Sequence, residues 1–162
     1  MKESIRIISE LTALESLGVL ARTQLGRLAC SRDMQPYVVP IYFAYKDKSL
    51  YSFSMPGQKI DWMRANPLVC VEADQMRGED WTTVVVFGCY KELADTEAMQ
   101  SERALAVALL EKRPEWWEPG RVKISPGGPA PVTAAAVAPV IYRIDIVKIS
   151  GRRSGNEKST AR

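Results

Sequence analysis

Runs of β-branched and aromatic residues recur along this chain, several of them joined by links too short to hold a crossover helix. "LGRLACS" (25–31), "PYVVPIYFAY" (36–45) and "LYSFS" (50–54) are separated only by "RDMQ" and "KDKS". Such spacing forces an antiparallel meander with tight hairpins. "LVCVEAD" (68–74), "TTVVVFGCYKEL" (82–93) and "VIYRIDIVKISG" (140–151) read as three further strands. About six antiparallel strands in one small domain predict a mainly β fold, a barrel with flanking helices, because closure removes exposed sheet edges. Pro40 interrupts an otherwise good strand. It cannot donate to a ladder, so it marks an edge, a bulge or a split in the barrel. It either blunts an edge or leaves neighbouring backbone groups free to face a ligand.

Helices fill the intervals. Thr12-Ala13-Leu14-Glu15 matches a capping box and predicts a helix to about Arg22. A short helix is predicted over 58–65, closed by Asn66-Pro67. Asp95 or Thr96 opens a third, through about Lys112, with Leu105, Leu109 and Leu110 on its apolar side. "PEWWEPG" ends it, and "SPGGPAPVTAAAVAP" (125–139) is a loop too long for a plain connector. One domain over 1–151 is expected, followed by a basic, frayed tail over 152–162.

That tail carries Arg152, Arg153, Lys158 and Arg162 against Glu157, and so accounts for much of the net charge of +3. The remaining body is nearly neutral, which does not support a nucleic-acid footprint. No apolar run approaches a membrane span, and the first ten residues hold no signal-peptide core. Cys30, Cys70 and Cys89 lie far apart in apolar runs and read as reduced core residues, so a cytoplasmic protein is expected. The chain has no histidine. That excludes Ser-His-Asp and Cys-His catalysis, and with them His-ligated zinc or haem. Any chemistry must come from other side chains or from a bound cofactor.

The junction "MPGQKID" (55–61) offers one opening for a cofactor. A strand ends there and a helix begins. Helix N-termini present unpaired N–H groups and the positive end of the dipole. Gly57 permits close approach to the backbone, and Lys59 adds a full charge, so the junction suits a phosphate. A Pro-Gly turn with a solvated lysine is the plainer alternative.

Taken in order, "GRLAC…QPYVVPIYFAY…LYSFSMPGQKIDWMRANPLVCVEAD…TTVVVFGCYKEL" resembles the pyridoxamine 5′-phosphate oxidase-like superfamily, and within it the small bacterial flavin-binding members related to nitroimidazole-resistance (Nim-type) proteins. The likeness runs from about Gly26 to Leu93 and extends to the final strand. It implies a six-stranded antiparallel split β-barrel and a homodimer with FMN at its interface; FAD or a deazaflavin is the alternative cofactor. By the same resemblance, Gln58 and Lys59 hold the phosphate, while Ser52, Phe53 and Ser54 line the ribityl and phosphate region. Val39, Pro40 and Ile41 match strand positions whose backbone meets the flavin ring, and Thr83 matches one that reaches the flavin from the partner chain.

Departures from the pattern bear on the activity. Pyridoxamine 5′-phosphate oxidases proper carry an Arg near Val39 and a substrate-phosphate Lys near Ala44; both positions are apolar here. Nim-type proteins often carry a His near Phe53, which this chain lacks. The expected function is therefore a flavin-dependent oxidoreductase acting on a small molecule. A flavin carrier or sensor is the second reading, and a barrel binding single-stranded nucleic acid through Tyr37, Tyr42, Phe43, Tyr45 and Tyr51 is the third. Trp116 and Trp117 are read as core and dimer contact, with a place over the flavin as the alternative. Asp47, Asp74, Glu79 and Asp80 are read as solvated turn residues.

Overall fold

The computed structural model describes residues 6–112 and 138–156. Its frame is an antiparallel sheet of eight strands. These are β1 (Arg6–Leu11), β2 (Leu25–Arg32), β3 (Gln35–Tyr42), β4 (Ala44–Lys46), β5 (Ser49–Ser54), β6 (Leu68–Arg77), β7 (Asp80–Glu92) and β8 (Val140–Asn156). The path runs β3-β2-β6-β7-β8-β5-β4, with β1 paired to β8. Its two ends, β3 and β4, are not paired to each other, so the sheet curls without closing and forms a split barrel. At the seam, the Ser52 hydroxyl donates to the Tyr42 carbonyl at 2.6 Å.

Two strands go beyond the six expected, each for a physical reason. The run 36–45 breaks at Phe43, whose N–H bonds the Gln24 carbonyl at 2.9 Å. Ile41 to Ala44 are all buried, so the polar alternation that marks a half-exposed strand is missing there. β1 is mostly exposed and shows no apolar face; its backbone pairing to β8 holds it. The same pairing corrects the reading of the tail. β8 continues through Arg152 and Arg153 to Asn156, flanked by β1 and β7, with Arg152 opposite Glu10 on one side and Thr83 on the other. Trp116, Trp117, residues 125–137 of the long loop and residues 157–162 lie outside the described residues.

The helices fall where the sequence places them. α1 (Ala13–Arg22) carries the capping box: Thr12 N–H donates to Glu15 Oε2 at 2.8 Å, and Glu15 N–H to Thr12 Oγ1 at 3.2 Å. α2 spans Gln58–Ala65, and α3 (Gln100–Glu111) follows a 3-10 turn at Glu97–Met99. The barrel is filled by Leu28, Ile41, Phe43, Leu50, Val71 and Ile144. Val19 and Leu20 of α1 and Ile60 and Met63 of α2 join this core. Outside it, α3 lays Ala106 against Tyr51, Leu93 and Ile141. Among the described residues, no helix is long and apolar enough to cross a membrane.

Candidate functional site

β5 ends at Ser54, and Met55, Pro56 and Gly57 carry the exposed chain to the start of α2. Gly57 caps that helix in an extended conformation, with no side-chain hydrogen bond to its first N–H groups. A Cβ built on Gly57 would meet nothing within 4 Å, so internal packing does not require the glycine. What its absence of a side chain leaves is an open approach to the backbone at a helix N-terminus.

Lys59 lies one residue inside that helix and is half-buried. Burial pushes its amino group below the ordinary 10.5, against a smaller opposing effect of the neighbouring Cys30 on β2. No carboxylate pairs with Lys59 among the described residues. A cation drawn from water without a counter-charge is costly, and an anion at the helix start would relieve it.

Three contacts fix α2 in place. The Tyr37 ring on β3 stands 5.4 Å from Trp62. The Asn66 amide donates to the Ser31 carbonyl at 3.1 Å and accepts from Leu68 N–H at 3.2 Å. Arg64 makes a two-pronged pair with Glu92 of β7, both bonds at 2.8 Å. Glu92 also accepts from the Tyr90 hydroxyl at 2.9 Å. Burial, then the carboxylate, push that phenol upward, while Arg64 holds Glu92 below the usual carboxylate value. Tyr90 packs on Tyr142, their rings 5.3 Å apart. The Tyr142 hydroxyl is wholly buried and lies near Ser52 without meeting it in hydrogen-bond geometry; burial raises its pKa to about 12.

The residues singled out in the sequence divide accordingly. Gln58 and Lys59 stand together at the helix start, Gln58 exposed. Ser54 is half-buried, and its hydroxyl donates to the Met55 carbonyl at 3.0 Å. Ser52 is buried and spends its hydroxyl on the seam. Phe53 is 39% exposed and is not part of the core. On β3, Val39 is half-buried, Pro40 is exposed and Ile41 is core. β3 ends the sheet path, so Pro40 does lie on an edge strand. Thr83 is not brought to Lys59. It sits on β7, three strands from β3, and donates to Glu72 at 2.9 Å. Asp74 and Glu79 are not free turn carboxylates: Asp74 is on β6 and takes Arg27 at 2.5 Å, and Glu79 pairs with Arg6.

Cys30, Tyr90, Glu92 and Tyr142 were not read from the sequence as neighbours of this site. Their types carried no signal, because only the sheet register brings them near α2. The reactive chemistry of these side chains is modest. Burial raises Cys30 and Cys70 above the ordinary thiol value, which disfavours thiolates. No group of three or more His, Cys, Asp or Glu among the described residues is placed to hold a metal. The arrangement is equipped to bind an anion and to orient what the anion carries.

Comparison with known proteins agrees with this architecture. A protein of Rhizobium meliloti (strain 1021), RA0666, is 46% identical over 140 residues, covering 85% of this chain and 89% of its own length. The crystal structure of a FAD-binding protein (mll6688) from Mesorhizobium loti is 42% identical, with a TM-score of 0.75 over 93% of this chain and 99% of that one. A proposed 5-nitroimidazole antibiotic resistance protein from Bacteroides thetaiotaomicron VPI-5482 shares the fold at 13% identity, with a TM-score of 0.64 over 96% of each chain. The family model for pyridoxamine 5′-phosphate oxidase matches residues 12–153. With its split barrel and with nearly the whole domain matched, the chain belongs to the pyridoxamine 5′-phosphate oxidase family.

Proposed function

We propose that this chain binds a flavin nucleotide and serves as a small-molecule oxidoreductase. The observation that carries the reading is Lys59, a half-buried cation with no carboxylate partner among the described residues, at the start of α2, which has no side-chain cap. A flavin phosphate supplies the missing counter-charge. FMN and FAD both present phosphate, and the FAD-binding relative from Mesorhizobium loti makes FAD as eligible as FMN. Gln58 and Lys59 would hold the phosphate. The exposed edge of β3 around Pro40 would face the ring, and Ser54 and Phe53 would flank the chain between them. When bound, the flavin supplies hydride and electron transfer. The protein's part is to bind, orient and exclude water.

Oxidation of pyridoxamine 5′-phosphate is not part of this reading. Val39 and Ala44 offer no cation to a substrate phosphate, and Ala44 is buried. Purified protein should show a flavin absorption spectrum, and mass analysis of the released cofactor decides between FMN and FAD. Lys59→Ala should weaken flavin binding by about 1.5–3 kcal/mol, the range for a hydrogen bond to a charged group. An unchanged dissociation constant removes Lys59 from the site. Stoichiometric flavin with no electron transfer to any acceptor would favour the carrier or sensor.

A further inference from the structure

A separate cleft of about 470 Å³ opens between α1 and the β6–β7 hairpin. It lies at the other end of β2 from Lys59. α2 is tied to Ser31 near the end of that strand, whereas Gln75 in the cleft wall donates to Thr23, just before the strand begins. The intervening strand spans roughly 20 Å at about 3.3 Å per residue.

The cleft combines an apolar floor with uncompensated positive charge. Leu11 and Val19 form part of the floor. Arg22 and Arg77 reach the lining, and neither pairs with a carboxylate among the described residues. A third guanidinium, Arg153, is shared with Glu15 at 3.5 Å. Asp80 is the other acid in the lining, so three arginines face two carboxylates.

Gly18 supplies an independent observation. It sits in the middle of α1, where glycine costs about 0.8–1 kcal/mol relative to alanine. Packing does not demand it: an added Cβ would meet only the tip of the Arg22 guanidinium, at 3.4 Å. At two other positions glycine is required by contact. At Gly88 a Cβ would strike Ile144 at 2.5 Å, and at Gly151 it would strike Ser16 at 2.5 Å. Gly18 forgoes helix stability and gains no packing; what it leaves is open space in the cleft wall below Arg22.

We propose that this cleft binds a small organic anion with an apolar body, its charged end on Arg22 and Arg77 and its body over Leu11 and Val19. Paired guanidinium forks suit a carboxylate or a phosphate monoester, and the volume suits a molecule about the size of one substituted ring.

Calorimetric titrations of the full chain, with and without flavin, test this using benzoate, phenyl phosphate and benzyl alcohol. At least one anion should bind saturably, and the alcohol should bind about tenfold more weakly or worse, a difference of ~1.4 kcal/mol. The tighter of the two anions identifies the headgroup. Arg77→Gln should weaken the anion about tenfold while leaving flavin affinity and melting temperature unchanged. Gly18→Leu should block the anion without lowering the melting temperature. Absence of saturable binding by either anion, or binding indifferent to both substitutions, overturns the proposal. Titration of the flavin-free chain keeps this outcome separate from any failure of the flavin reading.

Discussion

Lys59 is a liability to the free protein and, on the proposed function, an asset to the flavin complex, and its titration separates the two. Its amino group is held below 10.5 by burial, so charging it in the folded chain is harder than in the unfolded chain. The penalty is fully present below the folded pKa and fades as pH rises toward the unfolded value. A bound phosphate reverses the shift, because a dianion beside the amine favours its charged form. Below the free-state pKa the amine is charged with or without ligand, and affinity is insensitive to it. Above that value binding must take up a proton, and affinity falls as pH rises. Flavin affinity should therefore begin to weaken at a lower pH than an ordinary lysine would cause, and Lys59→Arg should remove that dependence. Lys59→Met keeps the apolar stem. It should lose flavin affinity while leaving the melting temperature of the flavin-free protein equal or higher. A flat affinity profile up to pH 10, within the range of an ordinary lysine, would contradict the assignment. The junction itself was legible in Gly57-Gln58-Lys59, since helix-start chemistry is local. The burial of Lys59 beside Cys30 was not, because it depends on α2 docking across β2.

At the scale of elements, two hairpins carry visible strain. Asp47 and Lys48 turn β4 into β5 with φ of 49° and 61°, and Asp33 and Met34 do the same for β2 and β3 with 50° and 62°. Paired positive φ is the geometry that tight hairpins prefer, and glycine accepts it without steric cost. Lys48→Gly should therefore stabilise the protein by up to about 1 kcal/mol, read from urea unfolding. A loss of stability would show that the Lys48 side chain has a role its exposure does not reveal. The tie between α2 and β7 behaves differently. Arg64 and Glu92 are both substantially exposed, so solvent screens their pair and it adds little to stability. Its larger effect should be on position. Glu92→Gln frees the last turn of α2 from β7 and should weaken flavin binding more than it lowers the melting temperature. Equal small losses in both would reduce the pair to a structural contact. Elements with local signals were readable: the capping box of α1, the Asn66-Pro67 stop of α2 and the β-branched and aromatic runs of β5 and β7. β1 and the end of β8 were not, since polar strands held by backbone pairing on their neighbours leave no periodic pattern. The break at Phe43 was hidden for the opposite reason, because full burial erases alternation.

At the scale of the whole molecule, one face of the sheet turns a row of apolar side chains outward. Register places Val38 beside Ala29, Ala29 beside Cys70 and Cys70 beside Phe87, in a row across β3, β2, β6 and β7. Val38 is 60% exposed, Phe87 48% and nearby Leu68 68%. Farther along the same face, Arg27 pairs with both Glu72 and Asp74, and Thr83 donates to Glu72. Those charges are already matched within the chain, so covering them costs less than burying free ions. A contiguous apolar row beside satisfied polar groups suits an interface between copies. A homodimer through this face would also give Thr83 a route to the partner's cofactor, which it lacks within its own chain. Light scattering at micromolar concentration should return twice the chain mass of 18.1 kDa. Leu68→Glu with Phe87→Glu places two like charges on each side of the seam. That variant should run as a folded monomer, and its flavin affinity should fall although neither residue belongs to α2. A dimer that survives both charges would move the interface to another face. A monomer that kept full flavin affinity would show that each barrel completes its own site.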